Sequence, residues 1–74
     1  MLHLTKRSLN RFMQKGMKVE IVGDRYGNNS ANDVPENLGR RGVLGIEHST
    51  GFWWVDFPDG SNVLAYVTEI KEVQ

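Results

Sequence analysis

Seventy-four residues with no cysteine, and with nine acids against nine lysines and arginines, describe one small domain without a disulfide framework, a thiolate nucleophile or a cysteine-based zinc site. A chain this short buries only about 60% of the surface its unfolded form exposes, and so small a core rarely supplies more than ~3–5 kcal/mol, so an obligate partner or self-association is an expected support. No apolar run approaches the ~20 residues that span a bilayer and the first residues hold no continuous apolar signal core, so no membrane partner and a cytoplasmic location are expected.

The zero net charge conceals a division. Residues 1–18 carry Lys6, Arg7, Arg11, Lys15 and Lys18 and no acid, while the remainder sets Arg25, Arg40, Arg41 and Lys71 against all nine acids. A basic arm (1–16) is thus joined to an acidic body (17–74), a pattern that points to an anionic surface on a nucleic acid or a protein. Leu4, Leu9, Phe12 and Met13 recur near helical spacing, with Thr5 or Ser8 suited to the start and Gly16 to the end of a short helix. Helices below ~12–15 residues are marginal alone in water, so the arm is expected to order on docking, either on a partner or over an open end of the body through Leu9 and Phe12.

The body opens with Met17–Val22, whose alternation sets Val19 and Ile21 on one face and Lys18 and Glu20 on the other, a first strand. From 24 to 38 the composition turns to Gly, Asn, Ser and Asp with Pro35, which predicts a long loop. Loops above ~12–15 residues in a compact domain are usually functional or mobile, and this makes Arg25 and Tyr26 at its base binding candidates. A second strand is expected over Arg40–Ile46, where Gly42 and Gly45 permit a bend or a close backbone approach, with Val43 and Ile46 as the apolar residues around it.

Gly51–Phe57 reads as a third strand in which Trp53, Val55 and Phe57 share the core face and Phe52 and Trp54 face outward, or lie beneath the arm or the loop. Large outward aromatics are typical binding hot spots. Pro58-Asp59-Gly60 predicts a hairpin turn, because proline presets φ at the first central position, aspartate suits the second and glycine accepts positive φ. Ser61–Val67 makes a fourth strand; Thr68–Ile70 makes a single short turn, and Lys71–Val73 a closing edge strand. The expected class is mainly β, a five-stranded SH3-like barrel with a short basic N-terminal arm or helix.

The series Gly16-x-Lys18-Val19-x-Ile21-Val22, Gly39-x-x-Gly42-Val43-x-x-Ile46 and Val67-x-x-Ile70-x-x-Val73 resembles the KOW-type and related SH3-like barrels of transcription and translation proteins over about residues 16–73. The chain departs from that pattern in its long 24–38 segment and in lacking a strongly basic body, which favours a protein partner over direct RNA binding. In size and organisation it also resembles miniature phage regulators that inhibit host RNA polymerase or act as antiterminators, as in a Xanthomonas phage. That resemblance implies a partner in RNA polymerase or an associated factor, near the RNA exit channel. Lys6, Arg7, Arg11 and Lys15 would then meet acidic residues or emerging RNA, with Leu4, Leu9 and Phe12 as apolar anchors.

Enzyme chemistry is not expected. His3 and His48 have no metal-ligand spacing with another ligand, no nucleophile and base pair off, and Gly23–Gly27 lacks the lysine and hydroxyl of a phosphate loop. No cofactor or metal is implied. Asn62-Val63-Leu64-Ala65-Tyr66 is similar to the pore strand of the SH3-like plasmid-type dihydrofolate reductases but lacks its glutamine. The competing expectations are direct RNA or DNA binding, with Phe52 and Trp54 stacking on bases while Arg25, Arg40 and Arg41 contact phosphates, and a self-associating structural barrel with Trp54 at its interface.

Overall fold

The structure, a computed structural model, describes residues 12–23 and 37–73. Leu4, Lys6, Arg7, Leu9 and Arg11 of the expected helical arm and the loop candidates Arg25 and Tyr26 lie outside the described residues. At 12–17 the chain makes turns: the Met17 amide donates to the Gln14 carbonyl (3.1 Å) across Gly16, whose φ of +92° suits only a residue without a side chain. Phe12 is 64% exposed, and Met13 and Met17 pack on the core instead.

The class is mainly β, as the alternation implies. Strands β1 (Lys18–Ile21), β2 (Arg41–Ser49), β3 (Phe52–Asp56), β4 (Asn62–Tyr66) and β5 (Ile70–Glu72) form one sheet in the order β4-β3-β2-β1-β5, and a single 3-10 turn, Val67–Glu69, joins the last two. Every neighbouring pair is antiparallel. The chain therefore runs as a meander from β2 to β4 and then returns β5 to the free side of β1. The segment between β1 and β2 is closed at its base, where the Gly39 amide donates to the Ile21 carbonyl (2.8 Å) and the Ile21 amide to the Arg40 carbonyl (2.9 Å).

Val19, Ile21, Leu44, Trp53, Val55, Phe57, Ala65, Val67 and Ile70 make up the core. The expected faces of β1 and β3 hold: Val19, Ile21 and Val55 are fully buried, with Trp53 and Phe57 nearly so. β2 departs from expectation. It continues past Ile46 to Ser49, and Leu44, 1% exposed, is its core residue, whereas Val43 and Ile46 are 40% and 67% exposed. Val43 pairs with the exposed Asp56 and Leu44 with the buried Val55, so ordinary alternation places these two, while for Ile46 the reason is a register shift. Leu44 pairs with Val55 but Glu47 with Trp53, so Gly45 and Ile46 together oppose Trp54, and a second shift follows before Ser49 pairs with Phe52. Such bulges reverse the inward and outward alternation that a uniform period of two assumes.

The predicted turn forms as its residues require. The Gly60 amide donates to the Phe57 carbonyl (3.0 Å) and the Phe57 amide to the Ser61 carbonyl (2.9 Å), with Gly60 at φ +90°. This is a three-residue hairpin loop, a tight turn followed by a left-handed glycine. Asp59 reinforces it by accepting from the Ser61 hydroxyl (2.6 Å) and amide (2.9 Å).

Candidate functional site

On the side of the sheet opposite the core, β3 presents Phe52, Trp54 and Asp56, and β4 presents their cross-strand partners Tyr66, Leu64 and Asn62. Phe52 and Tyr66 meet with ring centroids 4.7 Å apart, and His48 stands edge-on to Trp54 at 6.0 Å. The β2 bulge brings Ile46 to the same row, opposite Trp54. Phe52, Trp54, Leu64 and Tyr66 are all half-buried and Ile46 is open to solvent, so one contiguous apolar and aromatic patch lies on the outer face. Patches of this kind mark interaction surfaces. Gly51 allows it to assemble: a Cβ there would lie 2.7 Å from a ring carbon of Tyr66.

The other half of the outer face is charged but balanced. Arg41 and Glu20 sit opposite each other on β2 and β1 and form an ion pair of 3.0 Å. Lys18, Val43 and Asp56 occupy one row across three strands. Together with Gly42, Pro58 and Val73 they border an open groove of about 550 Å³. Two cations thus stand beside two carboxylates, a poor arrangement for a run of phosphates, which needs uncompensated lysines or arginines.

Arg40 is committed elsewhere. Its guanidinium carbon lies 3.7 Å from the Phe57 ring centroid, and its nitrogens donate to Asn37 (3.2 Å), Asp59 (3.3 Å) and Ser61 (3.3 Å). It ties the β3–β4 hairpin to the start of β2. The Ser61 hydroxyl and amide, followed by the Arg40 charge, hold the Asp59 carboxyl below its ordinary value of 3.8. Of the sequence-derived candidates, the structure therefore brings Phe52 and Trp54 together, pairs Arg41 with Glu20 on the same face, turns Arg40 inward to the hairpin, and leaves Phe12 and Lys15 exposed on the turn before β1.

Leu64, Tyr66, Ile46 and His48 belong to the patch and were not among those candidates. Leu64 and Tyr66 could have been found by pairing the third and fourth strands across the Pro58-Asp59-Gly60 turn, which fixes their register. Ile46 and His48 could not, because their position depends on the bulges. Among the described residues no three histidine or acidic side chains gather where they could hold a metal ion, and no helix is long and apolar enough to cross a membrane. The chain matches no family model, no curated protein and no solved structure.

Proposed function

We propose that this chain is a small non-enzymatic regulator that binds the transcription machinery through protein contacts, with the Phe52–Trp54 face as its apolar docking surface and the basic arm as a second, electrostatic contact. One observation carries the reading. The apolar and aromatic patch on the outer face adjoins a charge-balanced area, so the face offers dispersion and desolvation to a protein and little to a phosphate backbone. The strand order, the long kinked β2 and the single 3-10 turn before β5 support the SH3-like interpretation. RNA polymerase or an associated factor is the partner that the KOW-type and phage-regulator resemblances imply. A plug held near the RNA exit path would disfavour a terminator hairpin or alter promoter engagement.

The test is binding to purified bacterial RNA polymerase, measured across a salt series for the full chain, for Trp54→Ala and for Lys6→Ala/Arg7→Ala/Arg11→Ala. Truncating a central aromatic at a protein interface costs upward of about 2 kcal/mol, or roughly thirtyfold in affinity. Trp54→Ala should show that loss at every salt concentration, and the triple variant should lose affinity chiefly at low salt. Absence of polymerase binding, together with binding to RNA or DNA whose logarithmic salt slope approaches about −4.5, would transfer the function to direct nucleic-acid recognition.

A further inference from the structure

We infer that β4 is a self-pairing edge, through which two copies of this chain join their sheets antiparallel about a two-fold axis at Leu64. Among the described residues each end of the sheet presents an unpaired edge, and the two are built differently. β5 is only three residues long, and two of them, Lys71 and Glu72, are exposed and charged, which blunts it against pairing. β4 is five residues, Asn62-Val63-Leu64-Ala65-Tyr66, with no charge, no proline and no register shift against β3. Among the described residues no strand pairs with its outer side.

The backbone groups available at that edge follow from the ladder. The Phe57 amide bonds to the Ser61 carbonyl and the Val67 amide to the Gly51 carbonyl, so 57:61 and 51:67 are hydrogen-bonded pairs. Alternation then makes 55:63 and 53:65 hydrogen-bonded too, and turns the backbone groups of Asn62, Leu64 and Tyr66 away from β3. The outward Tyr66 amide is already taken by the carboxylate of Glu69 (3.0 Å), which limits pairing at that end. Leu64, at the middle of the strand, has both its amide and its carbonyl turned outward.

A second copy is the occupant that this edge fits. Antiparallel pairing about Leu64 lets each Leu64 amide donate to the Leu64 carbonyl of the other copy and sets leucine beside leucine on the outer face. No ionised side chain lies on the strand, so self-pairing brings no like charges together within it. It also closes at two: pairing β4 with β5 of another copy would be head-to-tail and would propagate, bringing Lys71 and Glu72 into the joint. The product is a ten-stranded sheet whose outer faces are continuous, so the Trp54 patches of both copies lie on one surface.

Sedimentation equilibrium from micromolar to millimolar concentration should show the mass rising from 8.4 kDa toward twice that value. Leu64→Lys should hold it at the monomer. Because the chain has no cysteine, Leu64→Cys gives a single probe. Opposed hydrogen-bonded residues lie with Cα atoms about 5.5 Å apart, within disulfide range, so mild oxidation should convert that variant to a covalent dimer. Ile46→Cys, on the outer face but away from the edge, should cross-link far less. A wild-type chain that stays monomeric throughout overturns the inference, as does a dimer that survives Leu64→Lys or cross-links through residue 46 in preference to 64. If Leu64→Lys fails to fold by circular dichroism, the two cysteine variants decide.

Discussion

The guanidinium of Arg40 sits over the ring of Phe57 while its nitrogens reach Asp59 and Ser61 on the far side of the hairpin. One side chain thus joins the residue before β2 to both arms of the β3–β4 turn, using the flat face of the group for the ring and its edge for the oxygens. Lysine can replace the charge but not that geometry. The ion pair itself is half in solvent and contributes little. Arg40→Ala should lower stability by about 1 kcal/mol, mostly through the ring contact, and Arg40→Lys should recover less than half of it. Urea unfolding of the three chains measures this; a lysine variant as stable as wild type would reduce the contact to simple charge.

Asp59 supplies the acid dependence of the same hairpin. Its carboxylate is stabilised by the Ser61 hydroxyl and amide and then by Arg40, so its folded pKa lies below the ordinary value of 3.8. A depressed carboxylate contributes stability that is complete above its unfolded pKa and is lost as the pH falls through the folded one. The hairpin should therefore loosen below pH 4, and Asp59→Asn should flatten that part of the stability profile. Carboxyl-carbon NMR titration provides the direct reading, and a midpoint at or above 3.8 for residue 59 would contradict the geometry.

Two glycines of β2 should respond unequally to the same change. A Cβ at Gly42 would come within 2.5 Å of the Asp56 carbonyl oxygen and 2.9 Å of Val55, both fixed in the sheet. At Gly45 the nearest atom, at 2.8 Å, is the end of the Asp56 side chain, which can rotate away. Gly42→Ala should cost about 2–3 kcal/mol, as overpacking against rigid neighbours does, and Gly45→Ala under about 1 kcal/mol. Thermal melts of the two variants would show whether backbone approach, rather than chain flexibility, explains these glycines.

Glu69 is fully buried in the 3-10 turn and accepts the outward amide of Tyr66. Glu69→Gln keeps an oxygen acceptor there, whereas Glu69→Ala leaves the amide without this one. The alanine variant should lose about 1–3 kcal/mol, and the glutamine variant distinctly less. Hydrogen exchange at the Tyr66 amide separates the cases: it should accelerate in Glu69→Ala and remain slow in Glu69→Gln.

Much of the fold was legible because local chemistry decides it. Val19 and Ile21 alternate with Lys18 and Glu20, Trp53, Val55 and Phe57 do so again, and Pro58-Asp59-Gly60 specifies its turn residue by residue. The outward position of Ile46 escaped that reading because the register shifts after Leu44 set it opposite Trp54, and no property of Val43, Leu44 or Ile46 alone reveals a bulge formed with another strand. Glu69 escaped it because a carboxylate is a poor candidate for complete burial until its partner, an amide three residues back, is seen. Phe52 and Trp54 were recognisable from period and size. Their companions Leu64 and Tyr66 needed the hairpin register as well, and Arg40 read as a free cation because three of its four partners, Phe57, Asp59 and Ser61, lie in the distant β3–β4 hairpin.

The paired bonds between Ile21 and residues 39 and 40 have a consequence for what can be built on this chain. They close the sheet between Ile21 and residues 39 and 40 through its own backbone bonds. Closing a longer flexible connection costs only about 0.6 kcal/mol for each doubling of its length. The strands that flank this connection thus carry their own closure, and a longer connection between Gly23 and Gly39 should be tolerated as long as the Ile21 bonds to residues 39 and 40 are kept.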